Sequence, residues 1–152
     1  SEAAQIHSHW FNRLKEYTMG VQQKLLLGSI VSSTSYHKAQ QIRRLVQEEM
    51  NQVLQKVDVL VSPVTRTPAG PIPSKADGRG DAGASALAMD PSYTRIYNLT
   101  GMPAISIPCG FSPDGLPVGL QIAGRHLQDH TVLKVAHAYE QTTGWHNQHP
   151  SL

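Results

Sequence analysis

The chain has 152 residues, of which 39% are hydrophobic and 16% are charged, a composition that excludes a disordered or membrane-embedded protein. Its 13 basic and 11 acidic residues leave a formal net charge of +2, which is too balanced to indicate nucleic-acid binding. The single cysteine excludes an internal disulfide and is typical of a reducing compartment, so we expect a cytoplasmic protein without a membrane partner. The start at Ser1 rather than methionine suggests a fragment boundary.

Two helices are predicted in the first third of the chain. The first covers residues 2–27, where apolar residues recur at spacings of three and four. Its apolar stripe consists of Ala3, Ile6, Trp10, Leu14, Tyr17 and Val21. Gly28 is the expected C-cap. After a polar connection, the second helix covers residues 35–56. Its apolar arc contains Ala39, Ile42, Val46, Met50, Val53 and Val57.

The hydrophobic period then changes. Residues 57–61 form a short, nearly continuous apolar run that ends at Ser62 and Pro63, which predicts a strand buried on both faces. Residues 63–89 are rich in Pro, Gly, Ala and Ser and have no clear period. We expect a long surface loop there, of the kind that often carries function.

A third helix is predicted to begin at Asp90 and Pro91. Aspartate is a favoured N-cap, and proline at the first helical position leaves no backbone N–H unpaired. Gly101 is expected to end this helix, and Pro103 prevents its continuation.

The last third of the chain is predicted to be a hairpin followed by a helix. Residues 104–111 and 116–123 have the composition of strands, and the Ser-Pro-Asp-Gly sequence of residues 112–115 favours a turn between them. A final helix covers residues 129–142. This order of elements predicts the α/β class, with part of a mixed β-sheet flanked by helices. Three strands make a small sheet, so we do not expect a complete domain.

Arg43 is the most informative single residue for function. It lies inside the apolar arc of the second helix, whereas Arg44 lies outside it. Because a guanidinium cannot lose its charge, an arginine among apolar neighbours needs an anionic partner. That partner is either a carboxylate of the same fold, in a structural ion pair, or a carboxylate or carbonyl of a bound substrate.

Asp129 is the second candidate. It stands where the last helix is predicted to begin, so its carboxylate either caps that helix or binds the ammonium or amide group of a substrate at the rim of the sheet.

Other chemistry-bearing residues indicate no catalytic or metal site. Cys109 has no base that the sequence can name, so a small buried residue is expected. The spacings of the eight histidines do not predict a metal site, and no acidic cluster completes one. Residues 32–35 are serine-rich but lack the glycines of an oxyanion cradle, so a loop is expected. No nucleophile elbow, phosphate-binding loop or dinucleotide fingerprint occurs, and we expect no cofactor.

Several segments together resemble the carboxy-terminal part of the amidase signature family. The most specific match holds Thr94, Asn98, Gly101 with Pro103, Pro108 with Gly110, and the run Gly115-Leu-Pro-Val-Gly-Leu-Gln121. Residues 36–43 and 57–63 are similar to the family's tyrosine–alanine–arginine helix and its aspartate-led strand. Asp129 and Glu140 match the acidic residues of its closing helix. The resemblance therefore covers nearly all of residues 1–152.

Membership implies a mixed sheet between helices and hydrolysis of carboxylic amides with release of ammonia. In the family this reaction uses a Ser–cis-Ser–Lys triad, none of which maps onto this chain, so we predict no catalytic residue here and no activity of the chain alone. In the glutamine-using amidotransferase A subunits, an arginine and an acid hold the substrate carboxylate and ammonium. Arg43 falls at the first of these positions, and Asp129 lies near the second, with a one-residue gap in the alignment.

The resemblance leaves four functions open. The first is a fragment of an amidase for small or aryl amides, which supplies pocket wall and substrate anchors. Its partners are then the amide substrate, the missing amino-terminal half of the fold and, in a homo-oligomer, further copies. The second is the A subunit of a glutamine-dependent amidotransferase, and the third is an allophanate-type hydrolase. The fourth is a non-catalytic binding or scaffold domain.

Overall fold

The computed structural model describes residues 1–70 and 93–148. These residues form two compact units. In the described part, the first unit is Ser1–Ile42 and the second is Arg43–Gly70 together with residues 93–148.

The first unit begins with three helical segments rather than one. These are α1 (Glu2–Ile6), a 3₁₀ helix (Ser8–Glu16) and α2 (Met19–Ser29). The predicted continuous helix over residues 2–27 is therefore wrong, because the backbone is extended at Tyr17, with φ −89° and ψ 153°. His7 Nδ1 lies 3.0 Å from the Tyr17 hydroxyl, and this contact joins the two ends of the 3₁₀ helix.

The break at Tyr17 also resets the helical phase, so the predicted apolar stripe is wrong. Ala4 and Leu25 are buried instead, whereas Trp10 is 45% exposed. Gly28 lies within α2 and is not its C-cap. A Cβ atom at Gly28 would lie 3.3 Å from the Ala4 Cβ, so this glycine allows α1 and α2 to pack closely.

Helix α3 spans Ser33–Leu54, close to the predicted residues 35–56. The Ser35 N–H donates to the Ser32 Oγ at 3.1 Å, which caps the helix start. The serine-rich residues 32–35 therefore form a helix start, where a loop was expected.

The second unit is built on a three-stranded antiparallel sheet. Its strands are β1 (Val59–Pro63), β2 (Ala104–Phe111) and β3 (Pro117–Gly124), in the order β1-β3-β2. The predicted α/β class and the β2–β3 hairpin are confirmed. Among the described strands every pairing is antiparallel, so the parallel pairing of a mixed sheet is not found within this part of the chain.

Strand β1 lies at an edge of this sheet and pairs only with β3 within the described residues. The prediction of a strand buried on both faces holds only in part. Val59 and Leu60 point to opposite faces and are half-buried, each against a different apolar cluster, whereas Val61 is 58% exposed. Beyond Pro63, residues 64–70 are irregular, and residues 71–89 of the predicted long loop lie outside the described residues.

Helices of the second unit pack on both faces of the sheet. These are the end of α3, together with α4 (Arg95–Thr100) and α5 (Asp129–Thr142). One apolar cluster consists of Leu54, Tyr97, Met102 and Ala123. The other consists of Ile107, Ile122, Val132 and Ala136. Because successive side chains of a strand point to opposite faces, Ile122 and Ala123 of β3 belong to different clusters.

The turns of this unit follow the sequence closely. Gly101 ends α4 in the left-handed conformation, with φ 71°, as predicted. Gly115 closes the hairpin turn with φ 75°, and its N–H donates to the Ser112 carbonyl at 2.9 Å. The predicted helix start at Asp90 and Pro91 lies outside the described residues.

No helix in residues 1–70 or 93–148 combines the length and apolar character that crossing a bilayer requires.

We expect Gly124→Ala to destabilise the second unit. A Cβ atom at position 124 would lie 2.7 Å from Val132 Cγ2, so the Val132 side chain or α5 has to shift. Such overpacking costs about 1–3 kcal/mol. The free energy of unfolding measured in urea checks this. Gly144→Ala is the control, because no atom lies within 4 Å of a Cβ placed there, and equal losses in both variants would contradict the packing argument.

Candidate functional site

The candidate site is built around the carboxyl end of α4. A helix leaves its last carbonyl groups without partners inside the helix. At the end of α4, the N–H groups of Gly101 and Met102 both donate to the Tyr97 carbonyl, at 2.8 and 3.2 Å. The left-handed Gly101 makes this turn possible. Of the four carbonyls that follow, those of Leu99, Thr100 and Gly101 accept hydrogen bonds from side chains.

Three side chains donate to these three successive carbonyls. Arg43 Nε donates to Leu99 O at 2.6 Å, and Gln47 Nε2 donates to Thr100 O at 2.9 Å. His126 Nδ1 lies 2.9 Å from Gly101 O. Since a carbonyl only accepts, His126 Nδ1 carries the hydrogen. We call this arrangement the α4 carbonyl cap.

Two elements supply the cap. Arg43 and Gln47 are four residues apart on α3, which places them one turn apart on the same face. His126 belongs to the segment between β3 and α5. In the same segment, Arg125 Nε donates to the Leu54 carbonyl at 2.7 Å. The end of α3 and the end of β3 are thereby tied together beside the cap.

A cleft of about 290 Å³ lies next to the cap. Its lining residues are Gln47, Asn51, Thr100, Met102 and His126. No acidic side chain is among these described lining residues, and the charge of Arg43 lies one helical turn from Gln47. The cleft can therefore offer hydrogen-bonding groups to a polar ligand, with a cation close to its rim.

Arg43 is half-buried, as its place in the apolar arc predicted. In residues 1–70 and 93–148 it forms no ion pair with a carboxylate, so the structural ion pair is not the arrangement found there. Its partner is the Leu99 carbonyl, bound through Nε. The two terminal nitrogens make no hydrogen bond within the described residues. A cation beside the carboxyl end of a helix is also favoured by the helix dipole.

Asp129 is the first residue of α5 and is exposed, while Gln128 occupies the N-cap position. The expectation that Asp129 caps the helix is therefore wrong by one residue. Leu127, just before the N-cap, has φ 61°, and this left-handed residue sets where the helix begins. No hydrogen bond or ion pair of the Asp129 carboxylate occurs within the described residues, and Asp129 does not line the cleft.

The sequence reasoning missed Gln47, Asn51 and His126 as residues of the site. A signal existed for two of them, since Arg43, Gln47 and Asn51 repeat at four-residue spacing on one helix. His126 was considered only as a metal ligand. Among the described residues, no group of three or more His, Cys, Asp and Glu side chains is arranged to hold a metal ion. Cys109, which was expected to be buried, is half-buried, and its Sγ lies 3.5 Å from the Val118 carbonyl.

The first unit contains a separate cavity of about 320 Å³, lined by Trp10, Arg13, Glu16 and Tyr17. Arg13 and Glu16 form an exposed ion pair. The hydrogen bond to Glu16 raises the pKa of the Arg13 guanidinium above its ordinary value. This cavity brings together no residue that the sequence predicted for substrate binding.

We expect Gln47→Leu to lower the free energy of unfolding by about 1–3 kcal/mol, because Thr100 is buried and its carbonyl would lose its donor. Urea denaturation measures the change. Gln52→Leu, at an exposed position of the same helix, is the control and should change stability by less than about 0.5 kcal/mol. Similar losses in both variants would mean that the cap does not stabilise the fold.

Comparison with known proteins gives the site its context. Residues 4–133 match the family described as Amidase. The glutamyl-tRNA(Gln) amidotransferase A subunit of Geobacillus kaustophilus (strain HTA426) is 39% identical over 152 residues, which cover 97% of this chain and 30% of that protein. The corresponding protein of Synechococcus sp. (strain JA-2-3B'a(2-13)) is 41% identical over 137 residues, covering 87% of this chain and 26% of the relative.

Solved structures agree with the sequence relatives. A crystal structure of an amidase superposes with a TM-score of 0.73 at 25% identity, covering 94% of this chain and 33% of that one. The glutamyl-tRNA(Gln) amidotransferase A subunit of Thermotoga maritima superposes with a TM-score of 0.59 at 34% identity, covering 81% of this chain and 27% of that one. The chain thus spans at most about a third of the length of these proteins. The family match and these relatives show that the chain belongs to the amidase signature family.

Proposed function

We propose that this chain is the carboxy-terminal portion of an amidohydrolase that cleaves carboxylic amides and releases ammonia. The observation that carries the proposal is the family match over residues 4–133. It is supported by Arg43, whose terminal nitrogens make no hydrogen bond within the described residues and which lies one helical turn from Gln47 in the wall of a polar cleft. Because the chain spans 30% or less of the curated relatives described above, the activity is proposed for the longer protein. We propose that this chain alone is inactive.

In this proposal the chain supplies pocket wall and substrate anchors. Arg43 binds the carboxylate or carbonyl of the substrate, and Asp129 binds an ammonium or amide group. The Ser–cis-Ser–Lys triad comes from the amino-terminal half of the fold, which is the principal partner of this chain. We also propose that the protein acts in the cytoplasm and does not bind nucleic acid directly. A homo-oligomer is compatible with these roles.

The surface of the second unit supports a partner that covers it. β1 and β2 each pair only with β3 within the described residues, so each has an outer edge with free backbone groups. Val61, Leu45 and Leu133 are 58%, 59% and 57% exposed. Large apolar side chains at unpaired sheet edges and helix faces are typical of surfaces that another part of a fold covers.

The A subunit of a glutamine-dependent amidotransferase is the second candidate. It is favoured by the relatives, since those at 39% and 41% identity carry that name. Glutamine carries both groups that Arg43 and Asp129 are proposed to bind. The two candidates therefore differ in whether the preferred amide carries an ammonium and a carboxylate or is neutral.

A chimaera tests the proposal directly. This chain replaces the matching segment of the Geobacillus kaustophilus relative, and ammonia release is measured from glutamine, asparagine, propionamide and benzamide. We expect activity from the chimaera and none from the chain alone. Preference for benzamide or propionamide favours the general amidase, and preference for glutamine favours the amidotransferase.

Folding of the chimaera is followed by circular dichroism and thermal unfolding. A chimaera that folds cooperatively but releases no ammonia from any of the four amides would count against an enzyme function and favour the binding or scaffold domain. Activity of the isolated chain would contradict the proposed division of the site.

We expect Arg43→Ala in the chimaera to raise KM for carboxylate-bearing amides by about tenfold or more, because a charge-assisted pair is worth about 1.5–3 kcal/mol. KM for neutral amides should change much less. Steady-state kinetics on glutamine and propionamide measure both. Arg44→Ala is the matched control, since Arg44 is exposed on the same helix and pairs with Glu48 at 2.9 Å. Equal changes for both amides would identify Arg43 as a purely structural residue.

A further inference from the structure

A second cavity lies where β1 ends and β3 begins. Its volume is about 280 Å³. Its walls include Arg66, Thr67, Pro68, Tyr93, Pro117 and Val118. Neither the α4 carbonyl cap nor the predicted substrate-binding residues Arg43 and Asp129 line it.

Among the described residues that line this cavity, Arg66 is the only charged one and none is acidic. In residues 1–70 and 93–148, the Arg66 guanidinium forms neither a hydrogen bond nor an ion pair with another residue. The Tyr93 hydroxyl also forms no hydrogen bond within these residues. A guanidinium keeps its charge at every physiological pH, so its five N–H donors are available to an anion.

Apart from Thr65 and Thr67, the other side chains that line the cavity are mainly apolar, and several of them are flat rings. Pro68 and Pro117 present rings without backbone N–H donors, and Val118 and the Tyr93 ring add apolar surface. Such walls favour the apolar body of a ligand, while Arg66 pairs with a carboxylate through two parallel hydrogen bonds. We propose that this cavity, the Arg66 pocket, binds a small organic carboxylate with a flat apolar body, of the size of benzoate.

The Arg66 pocket is separate from the cleft at the α4 carbonyl cap. In the β1–β3 register, Pro63 pairs with Leu120, whereas Val59 pairs with Gly124. The pocket lies beside the first of these pairs, and His126 follows the second. Four residues of strand cover about 13 Å, so the two sites lie at opposite ends of the sheet. The inference does not depend on the proposed amide hydrolysis.

The experiment is a ligand titration of the whole chain by ¹H–¹⁵N correlation spectroscopy, with benzoate, benzamide and acetate as probes. We expect benzoate to shift the backbone signals of Arg66, Thr67 and Tyr93 and to bind at least fivefold more tightly than benzamide, which lacks the charge, and than acetate, which lacks the ring. Benzamide or acetate binding as tightly as benzoate would overturn the proposal, as would no binding of benzoate.

Variants assign the site. Arg66→Gln should weaken benzoate binding by about tenfold or more, since a charge-assisted hydrogen bond is lost, and Arg66→Lys should restore part of it. Arg95→Gln is the matched control, because it removes the same charge from an exposed position outside the pocket. Thermal unfolding verifies that each variant folds. Unchanged benzoate affinity in Arg66→Gln, or an equal loss in Arg95→Gln, would overturn the assignment to this pocket.

Discussion

Three carbonyls at the end of α4 need hydrogen-bond donors, and this need determines how the second unit is assembled. The helix has six residues, from Arg95 to Thr100, too short to be stable without tertiary contacts. Its end is fixed by side chains from α3 and from the segment after β3, which meet over the left-handed Gly101. The same turn places Met102 in the apolar cluster with Leu54 and Ala123. One set of hydrogen bonds thus positions two helices, the start of β2 and the end of β3.

The three bonds of the cap are not energetically equal. Thr100 is 2% exposed, so its carbonyl has little access to water, and Gln47 is needed to satisfy it. Leu99 and Gly101 are exposed, and water can take the place of Arg43 and His126 there. Gln47 is therefore the structural member of the cap. Arg43 has more freedom to serve a ligand, because its loss leaves no buried carbonyl unpaired. In the proposed enzyme, Nε fixes the plane of the guanidinium while the terminal nitrogens face a carboxylate.

The sequence predicted the elements whose ends depend on local backbone chemistry. The stop at Gly101 and the turn at Gly115 follow from the conformational freedom of glycine. The predicted secondary structure was wrong where a helical pattern of apolar residues was extended past a break in the helix. The extended Tyr17 divides the first predicted helix, and no local signal marks it, because the contacts of Tyr17 with His7 and Gln22 decide the conformation. The contacts of the candidate site likewise depend on residues that are distant in sequence. Arg43 was found from its place in the apolar arc, but its carbonyl partner lies 56 residues away in sequence, beyond the reach of any periodicity.

The central position of β3 allows the two polar sites of the second unit to be independent. β3 pairs on both sides and carries side chains of both apolar clusters, which makes it the most constrained strand of the described sheet. One site lies at its beginning, near Val118, and the other follows its end at Gly124. Sites more than about 10 Å apart without shared partners contribute additively to stability and binding. A ligand at Arg66 is connected to the α4 carbonyl cap through β3, which both clusters hold in place, and through Tyr93, which lies two residues before α4. The rigidity of β3 favours two separate recognition sites over one extended groove.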